Sequence, residues 1–192
     1  MPTGHPDFRL GSVLATSFTG TLSERHGGPI ERIPTTGRLL DWLAEYGLVV
    51  DTCTADQLER ARDLRESIHA AATAAALDEP LPTSAIEVIN THSTQGHPMA
   101  LLTPDGRRTW QLTPTSALTD ALAVISADAI DIISGVRDGR LALCASPTCR
   151  AAFFDTSRSR SRRWCDMNTC GNREKKARFN ATRASGSGRQ QG

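Results

Sequence analysis

Apolar residues recur every three or four positions in four segments of the chain. The segments are 36–46, 55–77, 84–95 and 114–134. This spacing places the apolar side chains of each segment on one face of a helix. We therefore predict four amphipathic helices that pack into a bundle. A shorter apolar stretch, Leu10–Phe18, fits either a strand or a short buried helix, because its periodicity does not separate the two.

Local signals mark the ends of several of these helices. Thr54 with Gln57 forms a capping-box pattern at the start of the second helix, and Ser84 with Glu87 forms another at the start of the third. Gly47 is a plausible C-terminal cap of the first helix. These signals agree with the apolar periodicity and fix the helix boundaries.

Turn chemistry predicts two places where strands pair. Segments 99–102 and 109–112 flank Pro104-Asp105-Gly106, which favours an antiparallel β-hairpin. Further along the chain, we predict two small strands, 141–143 and 151–154, on either side of a turn. Phe153 or Phe154 is expected to form a miniature core with Trp164. The fold class predicted is mainly α: a helical bundle with a small antiparallel β-hairpin, followed by a small α+β module.

Four of the five cysteines form two pairs with the same spacing. Cys144 pairs with Cys149 and Cys165 with Cys170, each as Cys-x4-Cys, and fifteen residues separate the pairs. Two such hooks can present four thiolates to one tetrahedral zinc ion. A segment of ~40 residues rarely folds without a metal or disulfides, which also favours one structural Zn2+ per chain. Disulfide pairing of the four cysteines is the alternative.

Charge divides the chain at about the same place. Residues 144–183 contain ten basic and three acidic residues, a net charge of +7, whereas residues 1–143 contain eleven basic and eighteen acidic residues, a net charge of −7. Arg189 brings the total to +1. A basic module on an acidic body is typical of a protein that binds polyanions.

The basic residues are predicted to lie in a final helix and in the loop between the hooks. If Cys170 stands at the start of that helix, Ala177, Ala181 and Ala184 share its face and are expected to point inward. Basic side chains on the other faces would contact phosphates and base edges. The predicted nucleic-acid contacts are Arg158, Arg160, Arg162, Arg163, Arg173, Lys175, Lys176, Arg178, Asn180 and Arg183. The alternative is a solvated charged face that pairs with the acidic body.

The C-terminal module resembles a known family. Cys170-Gly171-Asn172-Arg173 is the signature of the CGNR zinc fingers, and the segments 154–158 and 162–165 are similar to the residues around that signature. A difference stands at Arg160-Ser161, where the family often has an Asn-Gly-like turn. The resemblance implies a bacterial protein with a treble-clef-like finger and an N-terminal domain described as a "putative stress-induced transcription regulator".

This resemblance implies a transcription regulator that binds DNA through the finger and uses its N-terminal domain to sense a signal or to form a homodimer. The alternative is a zinc-stabilised module that binds RNA or an acidic protein surface. The expected division is a helical body (1–139), a CGNR-type finger (140–184) and a disordered tail (185–192). The body is expected to fold without the finger.

Other features argue against catalysis and against a membrane protein. A four-thiolate zinc site has no open position for water, and no pair of carboxylates stands out for acid–base work, so no enzyme is expected. No apolar run approaches ~20 residues, and Met1–Asp7 lacks the features of a secretory signal, so we expect a cytoplasmic protein. Cys53 stands apart and is interpreted as a small half-buried side chain.

Overall fold

The computed structural model describes residues 4–187, and the side chains of residues 4–181. Within this range the fold is mainly α with small antiparallel strand pairs, as predicted. The helices are α1 (Leu14–Thr19), α2 (Thr36–Glu45), α3 (Ala55–Ala76), α4 (Thr83–Gln95), α5 (Ala117–Ile133) and α6 (Asn172–Ser187). The strands are β1 (Leu22–Ser23), β2 (Ile30–Glu31), β3 (Met99–Leu102), β4 (Arg108–Gln111), β5 (Arg140–Leu143) and β6 (Ala152–Asp155).

The body of the molecule is a bundle in which α3, α4 and α5 pack against one another and α1 lies against α3 and α5. The four predicted amphipathic segments correspond to α2–α5, and the ambiguous stretch before them forms the short helix α1. Large side chains that are fully buried fill the space between the helices. They include Phe18, Trp42, Leu64, Ile68 and Ile125.

One of the two predicted capping boxes is confirmed. The Gln57 amide donates to the Thr54 hydroxyl at 3.2 Å and the Thr54 amide donates to the Gln57 side chain at 2.7 Å. The capping box at Ser84 is wrong, because the N-cap of α4 lies two residues earlier, at Pro82, which has no side-chain acceptor.

Helix α5 begins three residues later than Pro114, where the sequence suggests its start. The Thr113 amide donates at 2.6 Å to the carboxylate of Asp120, and the Ser116 amide donates at 2.9 Å to the Thr113 carbonyl. Residues 113–116 therefore form a turn instead of the first turn of the helix. Asp120 also accepts the His97 amide at 2.9 Å, so this buried carboxylate fixes both ends of the β3–β4 hairpin.

The predicted hairpin is confirmed as β3 and β4, with Met99 opposite Gln111 and Leu102 opposite Arg108. Its second strand begins one residue earlier than expected. A second small hairpin, β1–β2, was not predicted. The loop between its strands contains Gly27-Gly28-Pro29, which are residues that favour turns. This loop lies against the C-terminal module.

The third hairpin, β5–β6, has a separate core on each face. Leu141 lies opposite Phe154, and both side chains join the core of the bundle. Ala142 lies opposite Phe153, and both face the four cysteines. Successive side chains of a strand point to opposite faces, so one face of this hairpin packs against the body and the other packs against the cysteines of the finger. A body ending at Gly139 would lose Leu141 and Phe154 from its core.

No helix within residues 4–187 is both long enough and apolar enough to cross a lipid bilayer.

Candidate metal centre and basic surface

The four cysteines of the two hooks converge on one point. The sulfur atoms of Cys144, Cys149, Cys165 and Cys170 all lie within 4.8 Å of one another. Cys149 Sγ is 3.7 Å from Cys165 Sγ, which is 3.7 Å from Cys170 Sγ. A tetrahedral site with Zn–S bonds of ~2.3 Å has sulfur–sulfur edges of about 3.8 Å. The cluster therefore has the dimensions of a four-thiolate zinc site.

The same distances do not fit disulfides, whose sulfur atoms are about 2.05 Å apart. Electrostatics also favours a cation at the centre. Hydrogen bonds from Cys149 and Cys165 lower the pKa of Cys144 to about 2, and the hydrogen bond to Cys144 raises the pKa of Cys149 to about 12. One thiolate thus disfavours ionisation of its neighbours. A metal cation at the centre would stabilise all four as thiolates.

The first hook is the turn of the β5–β6 hairpin. The Cys144 amide donates to the Ala151 carbonyl at 2.9 Å, and the amides of Cys149 and Arg150 both donate to the Ser146 carbonyl at 3.1 Å. Arg150 adopts a left-handed conformation with φ of 49°, which turns the chain back into β6. The structure confirms the predicted strands on both sides of this hook.

The second hook ends in a single π-helical turn, Met167–Gly171, that leads directly into α6. Asp166 begins this turn, and its carboxylate accepts the Asn168 amide at 2.8 Å and the Thr169 hydroxyl at 3.0 Å. The Gly171 amide reaches back to the Asp166 carbonyl at 3.1 Å. The wider turn carries Cys170, which is fully buried, into the cluster at the start of the final helix, as predicted.

The loop between the hooks folds around one buried carboxylate. Asp155, at the end of β6, accepts the amides of Ser157 and Arg162, each at 2.9 Å. Arg160 has a φ of 46°, a conformation that Asn and Gly adopt more readily. The turn therefore forms even though Arg160 occupies a position where related fingers often have an Asn-Gly-like pair. Its guanidinium pairs with Asp138.

Comparison with family models agrees with both halves of the structure. The model of the ABATE family, described as "Putative stress-induced transcription regulator", matches residues 12–136. The chain belongs to the ABATE family. A model of the CGNR zinc finger matches residues 140–183. A search of curated proteins finds no match. The finger binds one structural zinc ion, and Cys144, Cys149, Cys165 and Cys170 are positioned as its ligands.

The miniature core of this ABATE protein's finger contains one of the two phenylalanines proposed for it. Phe153 is buried with the cysteines and Trp164 packs against them, whereas Phe154 faces the bundle. An open cleft of about 500 Å³ separates the finger from the N-terminal segment of the body. Cys149 and Cys165 lie along this cleft, and Cys165 is half-buried, so solvent reaches the sulfur cluster from this side.

Several of the predicted nucleic-acid contacts present their side chains to solvent. All nine predicted contacts whose side chains are described are exposed: Arg158, Arg160, Arg162, Arg163, Arg173, Lys175, Lys176, Arg178 and Asn180. The guanidinium of Arg163 stacks over the Trp164 ring at 5.1 Å, which fixes its position without neutralising its charge. The ion pair between Arg160 and Asp138 is exposed and therefore weak. Arg183 lies outside the residues whose side chains are described.

Two of the predicted contacts instead hold the structure together. Arg162 donates to the Cys165 carbonyl at 2.8 Å and lies 5.3 Å over the Phe153 ring. Arg173 donates to both carboxylate oxygens of Glu24, at 2.5 and 2.7 Å. For Arg173, the structure therefore shows the alternative given in the sequence analysis, in which a basic residue pairs with the acidic body. Glu24 itself was missed by the sequence analysis.

The alanine stripe predicted to point inward from α6 is wrong. Ala177 and Ala181 are exposed, because α6 leaves the finger after its first turn; Ala184 lies outside the described side chains. The helix also continues to Ser187, so residues 185–187 of the expected tail are helical, and residues 188–192 lie outside the described range.

Cys53 is half-buried, as interpreted from the sequence. Burial raises the pKa of its thiol, and the sulfur lies 3.3 Å from the Thr54 carbonyl. A raised pKa disfavours the thiolate, so the thiol is poorly suited to nucleophilic chemistry.

Proposed function

We propose that the protein is a transcription regulator that binds duplex DNA through α6 and the loop 158–163, and that it is not an enzyme. The observation that carries the proposal is the exposure of the cationic part of α6. Every side chain from Lys175 to Ala181 is exposed, while the zinc cluster and Arg173 fix the start of the helix. A helix held at one end and charged along its exposed length suits the major groove of DNA.

The chemistry of the exposed residues supports phosphate and base contacts. Lys175, Lys176 and Arg178 offer positive charge to phosphates from one turn of α6, and Arg158 offers it from the loop. Asn180 carries an amide that can recognise an adenine edge. Arg162 and Arg173 are left out of this set, since the Arg162 guanidinium already bonds within the finger and that of Arg173 already joins the finger to the body.

The charge of the body restricts how DNA can approach. Residues 1–143 carry a net charge of −7, which repels phosphates, whereas the finger attracts them with a net charge of +7 over residues 144–183. A polyanion is therefore steered towards the finger. In this proposal the body orients the finger, through the shared hairpin β5–β6, in addition to any role in sensing or dimerisation.

A four-cysteine site supports a structural role for the zinc ion. Its four sulfurs occupy every position of a tetrahedral ion and leave none for water or substrate. We therefore propose that the metal positions α6 and does no chemistry.

The test is the salt dependence of DNA binding by the zinc-loaded full chain. Lys175→Ala with Lys176→Ala removes two exposed charges from α6. If both lysines contact phosphates, the slope of log Kd against log salt concentration, measured by fluorescence anisotropy with duplex DNA, should shrink by ~2. The matched control is Arg107→Ala with Arg108→Ala, which removes two charges from the β3–β4 hairpin of the body and should leave the slope unchanged.

Lysine chemistry gives an independent readout. The chain contains two lysines, Lys175 and Lys176, so an amine-selective reagent labels this part of α6 and the N-terminus. Bound DNA should protect both ε-amino groups from the reagent. Equal labelling with and without DNA, or an unchanged slope in the double variant, would exclude α6 as the contact. Tighter salt-dependent binding to structured RNA than to duplex DNA would favour the RNA-binding alternative.

A further inference from the structure

A single carboxylate of the body contacts the first hook of the zinc finger and the start of the helix that follows the second hook. Glu24 lies at the end of β1, and its side chain is 9% exposed. It accepts two hydrogen bonds from Arg173, at 2.5 and 2.7 Å, and one from the Thr148 hydroxyl at 2.9 Å. Arg173 also donates to that hydroxyl at 2.6 Å. Arg9 adds a longer contact, at 3.5 Å, to the same carboxylate. Glu24, Thr148 and Arg173 thus bond to one another in a group of three, which we call the clamp.

The clamp lies next to one ligand from each hook. Thr148 directly precedes Cys149 of the first hook, and Arg173 follows three residues after Cys170 of the second. Within the described residues, no hydrogen bond of the clamp involves a ligand sulfur directly. Glu24 therefore joins the two hooks from outside the metal's own coordination shell.

The backbone around Glu24 is shaped to approach the first hook closely. The His26 amide donates to the Thr148 carbonyl at 3.1 Å. A Cβ at Gly27 would lie 3.1 Å from the Thr148 Cβ, so a side chain there would crowd the hook. Glu24 itself has a φ of 55°, a left-handed conformation that is unfavourable for a residue with a side chain. The β1–β2 turn thus accepts strain at the point where it meets the finger.

The charges of the clamp suit an anionic metal centre. Hydrogen bonds from Arg173 hold the pKa of Glu24 at about 2, so the carboxylate is ionised. The pKa of Arg173 is raised, first by its hydrogen bond to Glu24 and then also by the negative charge of Cys170 and Cys149. The positive charge of the guanidinium therefore interacts with the sulfur cluster as well as with the carboxylate, and it offsets part of the net negative charge of four thiolates around Zn2+.

We propose that Glu24 is a positioning residue of the zinc site: by holding Arg173 and Thr148 against the two hooks, it makes retention of zinc depend on the N-terminal body. Groups outside the coordination shell typically change metal affinity 10–100-fold when they are removed, because they orient the ligands. The clamp would change the zinc affinity of the finger (140–183) through a residue of the ABATE region (12–136). The proposal does not depend on nucleic-acid binding.

The test is the rate at which the zinc-loaded full chain releases its metal to an excess of a chromogenic chelator, with no nucleic acid present. Glu24→Gln keeps the shape of the side chain and removes its charge, and should speed zinc release about 10-fold. Thr148→Val removes one bond of the clamp and should have a smaller effect in the same direction. In combination with Arg173→Gln, Glu24→Gln should speed release no further than the faster of the two single changes.

The matched control is Asp128→Asn. Asp128 is a half-buried carboxylate of the body that accepts the Ala15 amide at 2.8 Å and pairs with Arg137 at 2.7 Å. This change should lower the melting temperature of the body, followed by circular dichroism, and leave zinc release at the wild-type rate.

Three results would overturn the proposal. Glu24→Gln could release zinc at the wild-type rate, or more slowly, which would mean that the carboxylate only weakens the attraction between Arg173 and the sulfurs. Asp128→Asn could speed release as much as Glu24→Gln, which would mean that any loss of body stability loosens the metal. If Glu24→Gln does not fold, Thr148→Val decides, and an unchanged rate in that variant contradicts the clamp.

Discussion

The two halves of the zinc finger are stabilised by different neighbours. The hairpin β5–β6 is buried on both faces: Leu141 and Phe154 belong to the core of the bundle, and Ala142 and Phe153 belong to the metal side. Helix α6, in contrast, exposes every described side chain from Lys175 onward. One half is therefore held by hydrophobic contact with the body, and the other by the metal and the clamp.

This difference shows why the metal and the body are both needed. A helix as polar as α6 gains little from burial, and an isolated helix of its length is marginal in water. Zinc fixes Cys170 at the start of α6 and so stabilises the first turn, whose formation is the unfavourable step in forming a helix. The hairpin contributes the opposite wall of the site, and its position depends on contacts with α3 and α5.

The largest expected effect comes from breaking the metal site. Cys144→Ser should abolish zinc binding, which in structural zinc sites is worth about 10 kcal/mol or more of folding free energy. Segment 165–181 should then exchange its amide hydrogens rapidly, while α3 keeps its protection. Hydrogen exchange with mass spectrometry and metal analysis together measure this result. Cys53→Ser, which removes a cysteine outside the cluster, should keep one zinc ion per chain. Protection of 165–181 in metal-free protein would show that α6 does not need zinc.

A smaller effect should separate the two faces of the hairpin. Phe154→Ala removes a ring that is 6% exposed from the core of the bundle and should lower the free energy of unfolding of the body by about 3–4 kcal/mol. Phe153→Ala, at the next position but on the metal face, should lower the affinity for zinc more than the stability of the body. Denaturant unfolding followed by circular dichroism, with zinc competition on the same samples, tests both. Equal effects of the two changes on both measurements would mean that the hairpin has one continuous core.

The zinc ligands could be predicted from sequence because their information is local. Each pair of cysteines has a fixed spacing that a short turn can satisfy, and the capping box at Thr54 follows from residues three positions apart. The alternation of residues along β6 also implies that Phe153 and Phe154 face opposite sides. It does not say which side meets the bundle, because that depends on how the whole hairpin docks.

The clamp could not be predicted, because Glu24 and Arg173 are 149 positions apart. Strands β1 and β2 contain two residues each, too few for an alternating pattern to show. The inward alanine stripe failed for a related reason. Helical periodicity groups Cys170 with Ala177 and Ala181 on one face, but it carries no information on where the supporting structure ends, and α6 extends beyond it.

The smallest expected effect lies in the body, away from the metal. His69 on α3 is largely buried, and its Nδ1 has no hydrogen-bond partner among the described residues. Burial, together with the positive charge of Arg25, lowers the pKa of His69 to about 4, although Glu66 acts in the opposite direction. Below pH 6.5 the unfolded chain takes up a proton at this position that the folded chain does not, so the folded body should lose stability as the pH falls from 6.5 to 4.

His69→Gln tests this, because glutamine does not titrate. Between pH 6.5 and 4 the unfolding free energy of the variant should fall by about 2 kcal/mol less than that of the wild type. The measurement is the difference in unfolding free energy between the two proteins at each pH. Acid also weakens zinc binding by protonating the cysteines, but that contribution is common to both proteins and cancels in the difference. His5→Gln, which replaces an exposed histidine, is the matched control and should follow the wild-type curve. If His69→Gln follows it too, His69 does not contribute to the acid sensitivity of the protein.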